Sequence, residues 1–125
     1  MVYGIGVDLV YIPRIERVLA RWGDRFLDRV FTADEQVLCL SRPRPACAFA
    51  MRFAAKEAFS KAIGLGMRRG ISWRDIEVFH HPGGRPAIRV RGTTLDLCRK
   101  RGINGMHVSL SDEHDYAVAI VVLEG

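Results

Sequence analysis

The chain contains few cysteines, no long apolar run and no low-complexity tract. Its three cysteines, Cys39, Cys47 and Cys98, form no C-x-x-C pair and have apolar neighbours, which favours reduced packing residues over disulfides or zinc ligands. No apolar stretch approaches the roughly 18 residues needed to cross a bilayer. The first residues also lack the basic, apolar and cleavage regions of a signal peptide. The sequence therefore predicts a folded cytoplasmic protein that does not bind membranes.

Lysine is also scarce, so the positive charge comes from arginine. There are 19 basic and 14 acidic residues, which gives a net charge of +5 and an isoelectric point near 9.6. This balance indicates an anionic partner, and charge alone leaves phosphates, nucleic acid and an acidic protein open. Nucleic acid is disfavoured because the predicted strands lack exposed aromatic residues at stacking positions and no recognition motif is present.

The patterns along the chain predict one α+β domain over residues 1–125. A glycine-containing strand comes first, a capping box at Thr32–Glu35 starts a helix, and the longest helix ends at Gly64. The predicted strands span 2–10, 75–81, 87–91, 107–111 and 116–123, and the main helices span 12–22, 32–41, 46–63 and 93–100. We expect a mainly antiparallel sheet packed on the longest helix. Its free strand edges predict an oligomer.

The charged residues of the longest helix have two possible interpretations. On a helical wheel Glu57 projects beside Phe53 and Ala50, so its carboxylate needs a cation. Lys61, one turn later, would provide an i, i+4 ion pair. Alternatively, Glu57 and Asp8 would hold one Mg²⁺, which takes one or two carboxylates and completes its shell with water and phosphate oxygens. In that case Arg52, Lys56 and Lys61 would neutralise the phosphate charge.

Four motifs occur together in this sequence. They are Gly4-Ile-Gly-Val-Asp8, Arg52-Phe-Ala-Ala-Lys-Glu-Ala-Phe-Ser-Lys61, Gly84-Arg-Pro86, and His107-Val-Ser-Leu-Ser111 followed by Tyr116-Ala-Val-Ala. In this order they resemble the holo-[acyl-carrier-protein] synthases, the small 4'-phosphopantetheinyl transferases. The resemblance extends over essentially the whole chain and favours metal binding by Asp8 and Glu57.

The resemblance implies the fold of that family and an enzyme that uses Mg²⁺. The enzyme would move the phosphopantetheine arm of coenzyme A to a serine of apo-acyl carrier protein and release adenosine 3',5'-bisphosphate. The carrier would serve fatty-acid biosynthesis and lipid metabolism, or polyketide synthesis, and the family forms homotrimers with active sites between subunits. Such a transfer requires the enzyme to position the phosphates and to stabilise their charge with a metal and basic side chains. The enzyme itself needs no nucleophilic side chain.

The resemblance also implies roles for individual residues. Asp8 and Glu57 match the metal-binding acids, and with Lys61 they are the expected catalytic residues. The positions that match the coenzyme A site are Arg44, Arg52, Lys61, Gly84, Arg85, Pro86 and His107. The positions that match the docking site for the carrier are Arg14, Arg21, Arg25 and Phe26.

Several assignments stay open at this point. The general base is Glu57, another acid or a metal-bound water. His80, His81 and His114 fall in or beside predicted turns and are interpreted as surface residues. A non-catalytic subunit that binds coenzyme A or another nucleotide is the remaining alternative to an enzyme.

Overall fold

A computed structural model describes all 125 residues as a three-stranded sheet, a two-stranded hairpin and five α-helices. The strands are β1 (Val2–Tyr11), β2 (Ile76–His80), β3 (Pro86–Val90), β4 (Gly105–Glu113) and β5 (Tyr116–Glu124). The helices are α1 (Ile12–Trp22), α2 (Asp24–Val30), α3 (Ala33–Leu40), α4 (Pro45–Ile63) and α5 (Gly92–Lys100). The larger sheet has the order β1-β5-β4, β2 pairs with β3, and every pair is antiparallel. The predicted α+β class is confirmed, with the strands divided between two sheets.

Local signals in the sequence define the helix ends. The Thr32 hydroxyl accepts a hydrogen bond from the Glu35 amide at 3.2 Å, and the Glu35 carboxylate accepts one from the Thr32 amide at 3.0 Å. This is the predicted capping box. Gly64, in the left-handed conformation at φ +89°, ends α4 as expected. None of the helices combines the length and the apolar character needed to cross a membrane.

Two glycines allow β1 to lie directly against the backbone of α4. A Cβ atom at Gly4 would lie 2.0 Å from the Ala62 carbonyl oxygen, and one at Gly6 would lie 1.9 Å from that of Ala58. Larger side chains would therefore separate the strand from the helix. Because the two elements run in opposite directions, the next inward residue of β1, Asp8, lies beside the middle turns of α4.

The three-stranded sheet has one covered and one uncovered face. The inward residues of β5 alternate with outward ones, and Ala117, Ala119, Val121 and Leu123 are buried against α4. On the opposite face apolar side chains are exposed, with Ile5 at 64% and Leu9 at 62% of their surface. We call this the outer sheet face, and its largest exposed members are Ile5, Val7, Leu9, Tyr11, Tyr116 and Ile120.

Candidate active site

One part of the site lies where β1 meets α4. The Lys61 ammonium donates hydrogen bonds to an Asp8 carboxylate oxygen at 3.0 Å and to the Val7 carbonyl at 3.1 Å. Lys61 forms no ion pair with Glu57, so the i, i+4 pair within α4 is wrong. The lysine instead connects the two elements and keeps 53% of its side chain exposed, so it can also reach an anion from solution.

Glu57 lies in the same region with too few cations around it. Its carboxylate is half-buried and accepts no hydrogen bond from the chain. Burial, together with the negative charge of Asp8, raises the pKa of Glu57, and Lys61 and Arg14 offset this only in part. The two acids therefore repel each other, which a cation between them would relieve.

The donor set of this region fits Mg²⁺. Two carboxylates provide hard oxygen ligands, and no cluster of three or more histidine, cysteine or acidic residues exists. A complete protein cage is therefore absent. Mg²⁺ tolerates this because it usually keeps several waters and binds substrate phosphates through its remaining positions.

The second part of the site is a cavity of about 480 Å³ beside the first half of α4. We call it the basic cavity; its polar lining consists of Arg42, Arg44, Arg52, His80 and Asp112. The Arg52 side chain is 2% exposed. Its guanidinium donates to the Ala48 carbonyl at 3.1 Å, its Nε atom has no partner, and it forms no ion pair.

This arrangement favours an anionic ligand. An uncompensated buried cation costs several kcal/mol, and the only acid lining the basic cavity, Asp112, is exposed. Arg42 and Arg44 add positive charge at the rim. A phosphate group would satisfy the remaining donors of Arg52.

The structure brings some of the predicted coenzyme A residues together and leaves others apart. Pro86 lines the basic cavity, Gly84 and Arg85 are exposed in the adjoining turn, and the Arg44 guanidinium donates to the His114 carbonyl at 3.3 Å. His107 does not line the cavity. It pairs with Glu124 and lies opposite Val122 in the register of the sheet, on the side of the outer sheet face.

Two further assignments made from the sequence are wrong. Lys56 does not face phosphates, because its ammonium is fully buried and donates to Glu35 at 2.7 Å and to the Trp73 carbonyl at 2.9 Å. His80 is not a surface residue, because it is half-buried and lines the basic cavity. Its position opposite Pro86 in the hairpin is the sequence signal that could have identified it.

Two of the residues predicted to dock a carrier, Arg25 and Phe26, line a groove of about 640 Å³, whereas Arg14 and Arg21 lie outside its lining. Arg14, Arg21 and Arg25 are exposed, and Phe26 contributes to the apolar floor. We call this feature the apolar groove; its apolar lining is Val18, Trp22, Phe26, Val30, Phe53 and Trp73. Both tryptophans were missed from the sequence as site residues. Trp22 is exposed, and the guanidinium carbons of Arg21 and Arg25 lie 5.0 and 5.4 Å from its ring centre.

Known proteins have similar sequences and similar folds. Residues 4–121 match the model of the 4'-phosphopantetheinyl transferase superfamily. A holo-[acyl-carrier-protein] synthase of Syntrophus aciditrophicus is 47% identical over 125 residues, covering 100% of this chain and 98% of the relative.

Two solved structures extend the likeness to the fold. The holo-[acyl-carrier-protein] synthase of Neisseria meningitidis superposes with a TM-score of 0.94 at 38% identity, covering 100% of both chains. The Helicobacter pylori enzyme in complex with coenzyme A gives a TM-score of 0.86 at 32% identity, covering 96% of this chain and 99% of that one.

Proposed function

Because the chain belongs to the 4'-phosphopantetheinyl transferase superfamily, we propose that its site transfers phosphopantetheine to a protein. The donor is coenzyme A, the acceptor is a serine of apo-acyl carrier protein, and the second product is adenosine 3',5'-bisphosphate. One arrangement supports the assignment at the level of residues: Asp8, Glu57 and Lys61 lie together where β1 meets α4, and the buried Arg52, earlier on the same helix, has no ion-pair partner.

Asp8 and Glu57 are the residues that would hold Mg²⁺. The bound ion would supply positive charge to the diphosphate oxygens of coenzyme A. Lys61 is positioned to bind the same diphosphate, since its ammonium is fixed by Asp8 and is half-exposed. Arg52, Arg44 and the turn of Gly84, Arg85 and Pro86 would bind the rest of the nucleotide. The chain needs no nucleophile because the attacking hydroxyl belongs to the carrier, and Glu57 is a candidate for the base that receives its proton.

The direct test mixes the protein with coenzyme A, Mg²⁺ and an apo-carrier, and then measures the intact mass of the carrier. We expect the carrier to gain one phosphopantetheine and the solution to gain adenosine 3',5'-bisphosphate. Binding of coenzyme A without a mass change would support the non-catalytic subunit instead. Tight, salt-sensitive retention of RNA or DNA on a filter would favour a nucleic-acid-binding protein.

The apolar groove with its arginine rim supports the docking of a carrier. An acidic amphipathic helix would place its apolar side on Phe26 and Val18 and its carboxylates near Arg14, Arg21 and Arg25. Arg21 and Arg25 are held near Trp22 and are therefore already ordered on the surface.

Reversing a charge at the rim is expected to weaken carrier binding selectively. Arg21→Glu should raise KM for the carrier about 5- to 10-fold at low ionic strength, because an attraction becomes a repulsion. The effect should shrink in high salt, and KM for coenzyme A should not change. Steady-state kinetics at two salt concentrations measures both values. Arg99→Glu, on α5, is the matched control for net charge, and an equal loss toward both substrates would contradict docking.

The outer sheet face supports a homotrimer with sites between subunits. Exposed Ile5, Leu9 and Ile120 form an apolar surface that a monomer would leave in water. His107 lies on the same side and is separated from the basic cavity of its own chain, so a neighbouring copy would receive it at the coenzyme A site.

Placing a charge at the centre of this face is expected to dissociate the trimer. Ile120→Glu, on the middle strand of the sheet, should shift the sedimenting species from three chains to one and reduce transfer. Val37→Glu, at another exposed apolar residue, should leave the assembly unchanged. A monomeric or dimeric parent protein would contradict the trimer.

The proposed setting is fatty-acid biosynthesis in the cytoplasm. The three cysteines are free and buried, which agrees with a reducing compartment. Coenzyme A and the acyl carrier protein are the substrates expected there. Comparing carriers of fatty-acid and polyketide synthesis by kcat/KM would identify the pathway.

A further inference from the structure

Arg52 is held in the basic cavity by very few contacts. One guanidinium nitrogen donates to Ala48 of its own helix, and another, Nη2, lies 3.4 Å from Nδ1 of His80. Its Nε atom has no partner and no carboxylate lies within ion-pair distance. His80 is therefore the only side chain from another element that hydrogen-bonds the Arg52 guanidinium.

This contact determines which nitrogen of His80 carries the proton. A guanidinium has donors and no acceptor, so the Nδ1 atom that faces Arg52 must accept. In the neutral ring the hydrogen then lies on Nε2, which leaves Nε2 as a donor. Burial and the positive charges of Arg52 and Arg42 lower the pKa of His80, which is consistent with a neutral ring.

The basic cavity is displaced along α4 from the Mg²⁺ acids. Arg52 precedes Glu57 by five residues and Lys61 by nine, which is about 7 and 14 Å along the helix axis. Lys61 and the two acids do not line the basic cavity, so a diphosphate held by them leaves the free donor of Arg52 for a second anionic group. The ribose phosphate monoester of coenzyme A is a second anion of the same ligand, and its dianionic charge matches the three arginines of the cavity.

We propose that His80 is a specificity-determining residue for this phosphate monoester. It orients the Arg52 guanidinium through Nδ1 and donates to a phosphate oxygen through Nε2. The proposal rests on the proposed function, in which coenzyme A is the substrate. It adds the residue by which the site distinguishes coenzyme A from a nucleotide that lacks the phosphate monoester. Pro86 lies opposite His80 in the register of the hairpin and lines the same cavity.

His80→Phe keeps a ring and removes both nitrogens, so it tests the proposal directly. We expect the dissociation constant of adenosine 3',5'-bisphosphate to rise about 10- to 100-fold, as for a lost hydrogen bond to a charged group. Binding of adenosine 5'-monophosphate, measured in the same titration calorimeter, should change less than about twofold. In turnover, KM for coenzyme A should rise while KM for the carrier and for 3'-dephospho-coenzyme A stays the same.

Three further variants separate recognition from packing. His80→Gln retains a donor near the position of Nε2 and should restore most of the affinity lost in His80→Phe. His80→Asn retains only an acceptor near the position of Nδ1 and should restore less. His81→Phe changes the neighbouring exposed histidine, which does not line the cavity, and should have no effect. If His80→Phe does not fold, as judged by circular dichroism, His80→Ala provides the same comparison.

The outcomes distinguish this proposal from the proposed function. Unchanged binding of both nucleotides in His80→Phe would overturn the role of His80 while wild-type transfer still stands. An equal loss for both nucleotides would overturn the assignment to the monoester. A wild-type protein that binds adenosine 3',5'-bisphosphate but does not modify the carrier would overturn the transferase and leave His80 testable by calorimetry.

Discussion

Replacing Asp8 by Asn or Glu57 by Gln is expected to abolish measurable transfer, a loss of at least about 10³-fold. Both changes retain the size of the side chain and remove a charge that would hold Mg²⁺. Intact-mass measurement of the carrier over time gives the rate. Asp96→Asn, an exposed residue of α5, is the matched control for loss of a carboxylate.

Although Glu57→Gln should abolish transfer, it should stabilise the folded protein when no Mg²⁺ is present. The pKa of Glu57 is raised in the folded protein by burial and by Asp8, so its charged form is disfavoured on folding. This cost grows as pH rises from the ordinary value through the raised folded pKa, and it is complete only above that raised pKa. The Tm of Glu57→Gln in EDTA should therefore exceed that of the wild type by an amount that grows with pH across this range.

These two measurements together test the metal site. Loss of transfer together with a raised Tm would show that Glu57 serves to bind a ligand and that its charge destabilises the metal-free protein. Near-normal turnover in either variant would remove the Mg²⁺ site. Loss of transfer with a lowered Tm would show that Glu57 supports the structure instead.

Removing either member of the buried Lys56–Glu35 pair is expected to destabilise the fold by about 3–5 kcal/mol. Both side chains are fully buried. The Lys56 ammonium also donates to the Trp73 and Ile76 carbonyls, and Glu35 also accepts from the Val78 amide. The pair therefore joins α4 to α3 and to the start of β2. A single deletion leaves the remaining charge buried without its partner.

Urea unfolding of Lys56→Met, Glu35→Met and the double variant measures this effect. The double variant should lose less free energy of unfolding than the sum of the single variants, because neither charge is then left alone. Lys100→Met is the matched control; Lys100 is an exposed residue of α5, and its replacement should cost less than about 0.5 kcal/mol. A Lys56→Met variant as stable as Lys100→Met would refute the prediction.

The elements of the fold could be predicted because their signals are local. The Thr32–Glu35 capping box, the left-handed Gly64 and the alternation in β5 each act within a few residues of chain. The structure places the boundaries of these predicted strands and helices within two residues of prediction, and the largest shifts are at the two ends of β4, which begins at Gly105 and ends at Glu113. The sequence also paired Asp8 with Glu57 as one of two interpretations of the charges on the longest helix, and the resemblance to a known family favoured that pairing.

Contacts between distant elements were decided by the tertiary structure alone. A helical wheel gives the direction in which a side chain leaves α4, but it does not give what packs there. Lys56 is buried because α3 and β2 cover it, and Lys61 pairs with Asp8 because the glycines of β1 allow the strand to lie against the helix. His80 lies in the basic cavity because the β2–β3 hairpin folds beside Arg52. Backbone hydrogen bonding and side-chain periodicity are local and are therefore encoded in short segments, whereas a buried charge finds its partner only when the whole chain is packed.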